Sequence, residues 1–125
     1  MGERELVDII LKMVKTIKEQ RGELNLFMIL VDEDIPDNFT YSLLISAKWL
    51  DTISPYEGIK IVTNYLINAL DDSFIYIISR IIPINSEDPS VKKISKGLRM
   101  SGYSHIINSY FFNVLIKDAI LFESN

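Results

Sequence analysis

The residues that most constrain the fold are 24–31, LNLFMILV, which are almost wholly apolar. A strand with one face in solvent alternates apolar and polar side chains, whereas a strand that is covered on both faces does not. This segment therefore predicts a buried β-strand with other parts of the chain on both sides of it. At 125 residues the chain is long enough to bury such a strand within one domain, residues 1–125, without disulfide bonds.

The N-terminal segment predicts an amphipathic helix. Apolar residues recur at helical spacing and form one stripe, made of Leu6, Ile9, Ile10, Met13, Val14 and Ile17. Gly22 follows the last of them and is a typical residue just beyond a helix end. We expect this helix to pack one face on the core.

The segment TYSLLISAKWLD, residues 40–51, predicts a second strand. Alternation puts Tyr41, Leu43, Ile45, Ala47 and Trp49 on one face and Thr40, Ser42, Leu44, Ser46 and Lys48 on the other. The second face is consistently more polar. We therefore expect Lys48 to be a strand residue on that face rather than a charge in the core.

A second helix is predicted from SPYE, residues 54–57, to about Leu70. Ser54 can cap the helix, Pro55 suits its first position and Glu57 can complete a capping box. Its apolar residues cover a wider arc than one core face requires, because Ile61, Tyr65 and Ile67 lie outside the main stripe. Either the sheet and another helix both cover this arc, or a partner chain does.

The rest of the chain adds a strand, a helix and two strands. Residues 73–84 are ambiguous by period, because a helical turn can precede a strand from about Ser79 or the whole run can be strand. Residues 88–100 predict a helix capped by Asp88, and residues 104–124 predict one or two strands with a break near Asn113. The order α-β-β-α-β-α-β-β predicts an α+β fold. We expect a mixed, mainly antiparallel sheet of about five strands with helices packed on it.

Composition excludes several kinds of site. The chain contains no cysteine, so it has no disulfide bond, zinc–thiolate centre or cysteine nucleophile. Its net charge of −4 disfavours non-specific binding to nucleic acid, which requires a basic surface. The most apolar run is too short to span a bilayer, and the N-terminus does not resemble a signal peptide. We expect a cytoplasmic protein with no membrane association and no cofactor.

One acidic segment is a candidate metal site. Carboxylates cluster between the first two predicted strands, at Asp32, Glu33, Asp34 and Asp37. Oxygen ligands at this density can hold a divalent cation. The spacing lacks the glycine of an EF-hand loop, and an exposed acidic turn that keeps the flanking apolar strands soluble explains the same residues.

A sharper hypothesis comes from Pro36-Asp37 followed by Ser46-Ala47-Lys48. This pattern resembles the PD-(D/E)xK nuclease signature over about a dozen residues. The resemblance implies a metal held by acidic residues and a lysine that positions or activates the attacking water. Ser46 stands where the family has its second acid, so Glu33 or Glu57 would have to replace that ligand. The alternative is that Lys48 is a solvated strand residue without a catalytic role.

The third predicted helix carries a basic stripe formed by Lys92, Lys93, Lys96 and Arg99. Such a stripe can contact phosphate or an acidic protein. No aromatic residue is interleaved with it, and the whole chain is acidic. We therefore favour a solvated helix face over a nucleic-acid site.

The aromatic residues Tyr110, Phe111 and Phe112 are consecutive, so they cannot all face one side of a strand. An exposed aromatic is a natural interface anchor, although a sheet covered on both faces would also explain them. With Tyr65 on the second helix, these residues favour a non-enzymatic interaction or regulatory module that forms a homodimer or binds a protein partner. The alternative is a nuclease-like enzyme that uses Asp37, Lys48 and Glu57.

Overall fold

The computed structural model describes residues 3–32, 40–70, 75–97 and 103–124, and it confirms the predicted α+β class and element order. Helix α1 spans Glu3–Arg21, and strands β1 and β2 span Leu26–Val31 and Tyr41–Ser46. A short helix α2, Lys48–Asp51, and a longer helix α3, Pro55–Ala69, follow. A 3₁₀ turn at Ile75–Ile77 then leads into β3, Ile78–Pro83, and α4 spans Pro89–Gly97. Strands β4 and β5 span Ser104–Phe111 and Val114–Ser124.

The five strands form one mixed sheet in the order β3-β2-β1-β5-β4. Only the β2–β3 pair is parallel, and α3 lies in the connection between those two strands. The other three neighbouring pairs are antiparallel. Strand β1 is therefore central, and β3 and β4 are the two edges.

The sheet is covered on both faces. Residues from α1 and α3 pack with Phe27, Ile29 and Ile45 in a first core. On the opposite face, Val91 and Ile94 of α4 pack in a second core, together with sheet residues that include Leu26, Met28, Leu44, Ala119 and Leu121. The alternating side chains of β1 thus enter different cores, which confirms the strand covered on both sides.

The helix ends follow the predicted chemistry. Gly22 ends α1 with a φ of 108°, and its N–H donates to the carbonyl of Lys18. The Ser54 hydroxyl accepts a hydrogen bond from the Glu57 N–H, and Pro55 occupies the first position of α3. The Asp88 carboxylate accepts from the Ser90 N–H at the start of α4. Each contact satisfies a backbone group that the helix itself leaves unpaired.

The predicted strand over residues 40–51 is too long. Strand β2 ends at Ser46, and Lys48, Trp49 and Leu50 belong to α2. The face predicted to be polar is also buried, because Ser42, Leu44 and Ser46 lie beneath the α4 side of the sheet. The run at 73–84 follows the first alternative, a helical turn before a strand, within its described residues 75–84.

Candidate functional site

Lys48 does not end a strand. It is the first residue of α2, its side chain is exposed, and the preceding Ala47 is extended with φ −161° and ψ 150°. The side chain borders a shallow pocket next to Ser86, Glu87 and Lys92 on the α4 side. The expectation of a solvated Lys48 agrees with this exposure, but its placement on a strand was wrong.

Only part of the nuclease-like set lies within the described residues. Glu57 lies in the first turn of α3, and Asp37 falls outside the described residues. Within the described ranges, no three histidine, aspartate or glutamate side chains come together to hold a metal ion. The hypothesis that Asp37, Lys48 and Glu57 form a nuclease-like site therefore stays a prediction.

Of the four acidic residues considered as metal ligands, Asp32 lies within the described ranges, whereas Glu33, Asp34 and Asp37 lie outside them. The Asp32 carboxylate accepts hydrogen bonds from three hydroxyl groups. Thr40 Oγ1 and Ser42 Oγ each donate at 2.7 Å, and Ser79 Oγ donates at 2.5 Å. These donors come from β2, its N-terminal flank and β3, so Asp32 joins the ends of three neighbouring strands.

Arg80 extends this hydrogen-bonded group across the parallel pair. Its Nε donates to Ser42 Oγ at 2.8 Å, and Ser42 in turn donates to Asp32. Burial raises the pKa of Asp32, but the hydroxyl hydrogen bonds and the charge of Arg80 outweigh it and hold the pKa below its ordinary value of 3.8. The roles of Ser42, Ser79 and Arg80 beside Asp32 could not be predicted from the sequence. They depend on the parallel register of β2 and β3, which places Arg80 beside Ser42.

The basic stripe is only partly described, since the side chain of Lys96 and the whole of Arg99 lie outside the described residues. Lys92 pairs with Glu87, five residues before it. Lys93 lies over the ring of Phe111, with its Nζ 5.7 Å from the ring centroid. The two described lysines therefore contact neighbouring parts of this chain, and Lys93 helps to hold α4 against β4.

Tyr65 is part of the junction between α1 and α3. Its Oη donates to Gln20 Oε1 at 2.6 Å, and Arg21 Nε donates to the same Oη at 3.3 Å. A groove of about 450 Å³ lies beside it, with Ile9, Met13 and Ala69 among its lining residues. Tyr65 is half-buried, so it is a poorer candidate for an exposed interface anchor than its place on the helical wheel indicates.

The wide apolar arc of α3 does leave side chains in solvent. Tyr56 is 73% exposed, Ile67 is 51% exposed and Ile59 is 37% exposed. Val62 and Leu66 face the first core instead. We call Tyr56, Ile59 and Ile67 the helix patch.

The three consecutive aromatic residues differ in exposure, as expected for residues that cannot all face one side of a strand. Tyr110 is 61% exposed, whereas Phe111 and Phe112 are half-buried against the second core. Phe112 and Asn113 form the turn between β4 and β5, with φ values of 55° and 62°. Positive φ at both central residues is the conformation of a type I′ turn, which suits a two-residue hairpin.

Three further apolar residues of the hairpin are exposed, Ile107, Val114 and Leu115. Leu115 is paired with Tyr110 across the hairpin and is 56% exposed, and Ile107 on the same strand is 63% exposed. Phe111 and Ile106 pack on the second core, so alternation turns their neighbours Tyr110 and Ile107 to the opposite face. We call Ile107, Tyr110 and Leu115 the hairpin patch.

The hairpin patch depends on a change of face within the hairpin. Ile106 and Phe111 are five residues apart and yet pack on the same core, and Ile116 and Ala119 on β5 are three apart and do the same. Regular alternation would put each pair on opposite faces. Asn108, with a φ of 49°, lies where β4 changes face. Sequence periodicity could not show this, because it assumes a regular strand.

Comparison of the chain with protein-family models, with curated proteins and with solved structures gave no match. Across the described residues, every helix is too short or too polar to cross a bilayer.

Proposed function

We propose that this chain is a protein-interaction module that self-associates as a homodimer through the hairpin patch. The observation that carries the proposal is the exposure of Ile107, Tyr110 and Leu115, each more than half in solvent and all on one face of the hairpin. Isolated apolar residues are common on protein surfaces, but neighbouring ones that include an aromatic are typical of interaction sites. The absence of cysteine suits the reducing cytoplasm, where we propose that the protein acts.

Charge also favours association at this place. Residues 103–116 contain no aspartate, glutamate, lysine or arginine, although charged residues make up 24% of the chain. Interface cores are depleted in formal charge, because buried unpaired charges are costly. Two copies that each carry a net charge of −4 repel each other overall, and residues 103–116 add nothing to that repulsion. The carboxylate nearest in pairing is that of Asp118, which lies opposite Ile107 within the hairpin.

Substitution of Ile107 by glutamate tests the proposal. The side chain is more than half exposed, so the Ile107→Glu variant should fold, while two copies would bring a carboxylate into an apolar interface. We expect the wild-type protein to have about twice the chain mass of 14.4 kDa by light scattering. The Ile107→Glu variant should have the mass of one chain, with an unchanged circular dichroism spectrum.

The matched control is Ile67→Glu in the helix patch, because it is the same substitution at another isoleucine that is more than half exposed. This variant should remain dimeric. If Ile67→Glu dissociates the protein and Ile107→Glu does not, the interface lies on α3. A wild-type protein that is monomeric at millimolar concentration would overturn the proposal.

A further inference from the structure

The two edges of the sheet differ in how well they are protected against pairing with another strand. Edge strands expose unpaired backbone N–H and C=O groups, and proteins protect them with charge, proline or side-chain contacts. Strand β3 contains Arg80 and Pro83, and its Ser79 hydroxyl bonds to Asp32. Strand β4, SHIINSYF, contains no proline, lysine, arginine, aspartate or glutamate. Among the described residues, strand β4 is therefore the less protected edge of the sheet.

We infer that the second copy binds at this edge, so that two β4 strands pair antiparallel and join the two five-stranded sheets. This inference rests on the proposed function and specifies how the homodimer forms. It also accounts for interface area. A stable interface buries about 800 Å² on each partner. Three partly exposed side chains fall well short of that, whereas pairing of residues 106–111 of the two β4 strands adds backbone hydrogen bonds and a second row of side chains.

The change of face in β4 restricts the register. In a continuous sheet, residues that pair across the dimer axis must lie on the same face. Two registers meet this condition, one with His105 opposite Tyr110 and one with Ile107 opposite Tyr110. We infer the second, because it also puts Ile106 opposite Phe111 and so pairs apolar residues with one another.

This register also aligns the irregular positions of the two strands. Asn108 of one copy lies opposite Ser109 of the other, so both strands change face at the dimer axis. Within the chain, β4 and β5 already change face together, between the pairs Ile107–Asp118 and Ser109–Ile116. In the inferred dimer, β4 of the second copy changes face at the same level as β4 and β5 of the first copy.

The absence of native cysteine allows a direct test by cross-linking. Two Ser109 residues would be one position apart along neighbouring strands, with about 6 Å between their Cα atoms from the ordinary strand spacing. A disulfide spans roughly 4.4–6.8 Å. The variant Ser109→Cys should therefore form a covalent dimer under mild oxidation at a protein concentration where the wild type is dimeric.

The matched control is Ser104→Cys, the same substitution in the same strand. In the inferred register Ser104 lies nine positions from its own copy, roughly 30 Å away, which no disulfide can span. We expect at least tenfold faster dimer cross-linking for Ser109→Cys than for Ser104→Cys.

The outcomes separate this inference from the proposed function. If the wild type is dimeric by mass but Ser109→Cys cross-links no faster than Ser104→Cys, edge pairing in this register is wrong and self-association stands. Faster cross-linking of Ser104→Cys would also overturn it, because the strands would pair in another register. If the protein is monomeric and neither variant cross-links, both proposals fail, and a strand from a different protein becomes the ligand to test at this edge.

Discussion

Tyr65 on α3 donates a 2.6 Å hydrogen bond from its Oη to Gln20 Oε1 near the end of α1, so the two residues join the helices that cover the first core. Arg21 donates to the same hydroxyl and also stacks on the Tyr65 ring, with its guanidinium carbon 6.0 Å from the centroid. A charge introduced at Tyr65 would disturb this junction. Loss of association in such a variant would therefore not identify a dimer interface.

The milder substitution Tyr65→Phe separates stability from association. It removes the hydroxyl and keeps the ring, so we expect the free energy of unfolding to fall by about 0.5–1 kcal/mol. Urea denaturation measures this loss, and light scattering should give the same mass as for the wild type. A change in mass without a change in stability would assign Tyr65 to an interface instead.

Asp32 should make the protein less stable in acid. Because its pKa in the folded protein lies below the ordinary value of 3.8, the unfolded chain binds more protons near that pH and stability falls as the pH is lowered. We expect Asp32→Asn to cost about 1 kcal/mol at pH 7, a modest value because solvent screens a partly exposed carboxylate. Urea denaturation between pH 7 and pH 2.5 measures the free energy of unfolding of the wild type and of Asp32→Asn.

The stability difference between the wild type and Asp32→Asn should shrink as the pH falls below about 4, since the wild-type carboxylate becomes protonated. Ser79→Ala is the matched control, because it removes one of the three hydroxyl donors and leaves the carboxylate. Its cost should be smaller than that of Asp32→Asn at pH 7. A difference for Asp32→Asn that stays constant over the whole pH range would contradict this account.

Gly22 should tolerate substitution poorly, because its φ of 108° is a backbone conformation that side chains disfavour. Space is not the obstacle, since a Cβ at this position would meet no atom within 4 Å. We expect Gly22→Ala to lower the free energy of unfolding by about 1 kcal/mol or more. Gly22→Asn should cost less, because asparagine accepts positive φ more readily. Equal melting temperatures for the wild type and Gly22→Ala would contradict this.

Substitution of Ser54 tests how much its N-cap hydrogen bond stabilises α3. Ser54→Ala removes the acceptor for the Glu57 N–H and should cost about 1 kcal/mol, whereas Ser54→Asp should retain most of the stability because aspartate also caps helices. Thermal unfolding followed by circular dichroism compares the three proteins. An alanine variant as stable as the wild type would show that solvent replaces the cap at no cost.

Local chemistry made much of the fold predictable from the sequence. The apolar run at residues 24–31 has one consistent interpretation, and the caps at Gly22 and Ser54 depend on neighbouring residues alone. The short helix α2 could not be predicted, since four residues give too little periodicity to distinguish a helical turn from the end of a strand. The buried state of the Ser42 face was also missed, because the helix that covers it lies far along the chain.

The candidate sites were harder to predict than the elements. Tyr110 was identified because three consecutive aromatics cannot share a face, but Ile107 and Leu115 join it only through the turn at Phe112 and the change of face at Asn108. The hydroxyl donors around Asp32 depend on the parallel register between β2 and β3. Register between distant strands is set by tertiary packing, which a single sequence does not display.

The central position of β1 has a consequence for synthesis of the chain. One neighbour, β2, begins ten residues after β1 ends, but the other neighbour, β5, comes much later in the chain, since Leu26 pairs with Ser124. As the chain emerges from the ribosome, one edge of its most apolar strand therefore stays unpaired until residues 114–124 are available. Unpaired apolar edges favour aggregation of incomplete chains. We therefore expect the nascent protein to be prone to aggregation for as long as β5 is missing.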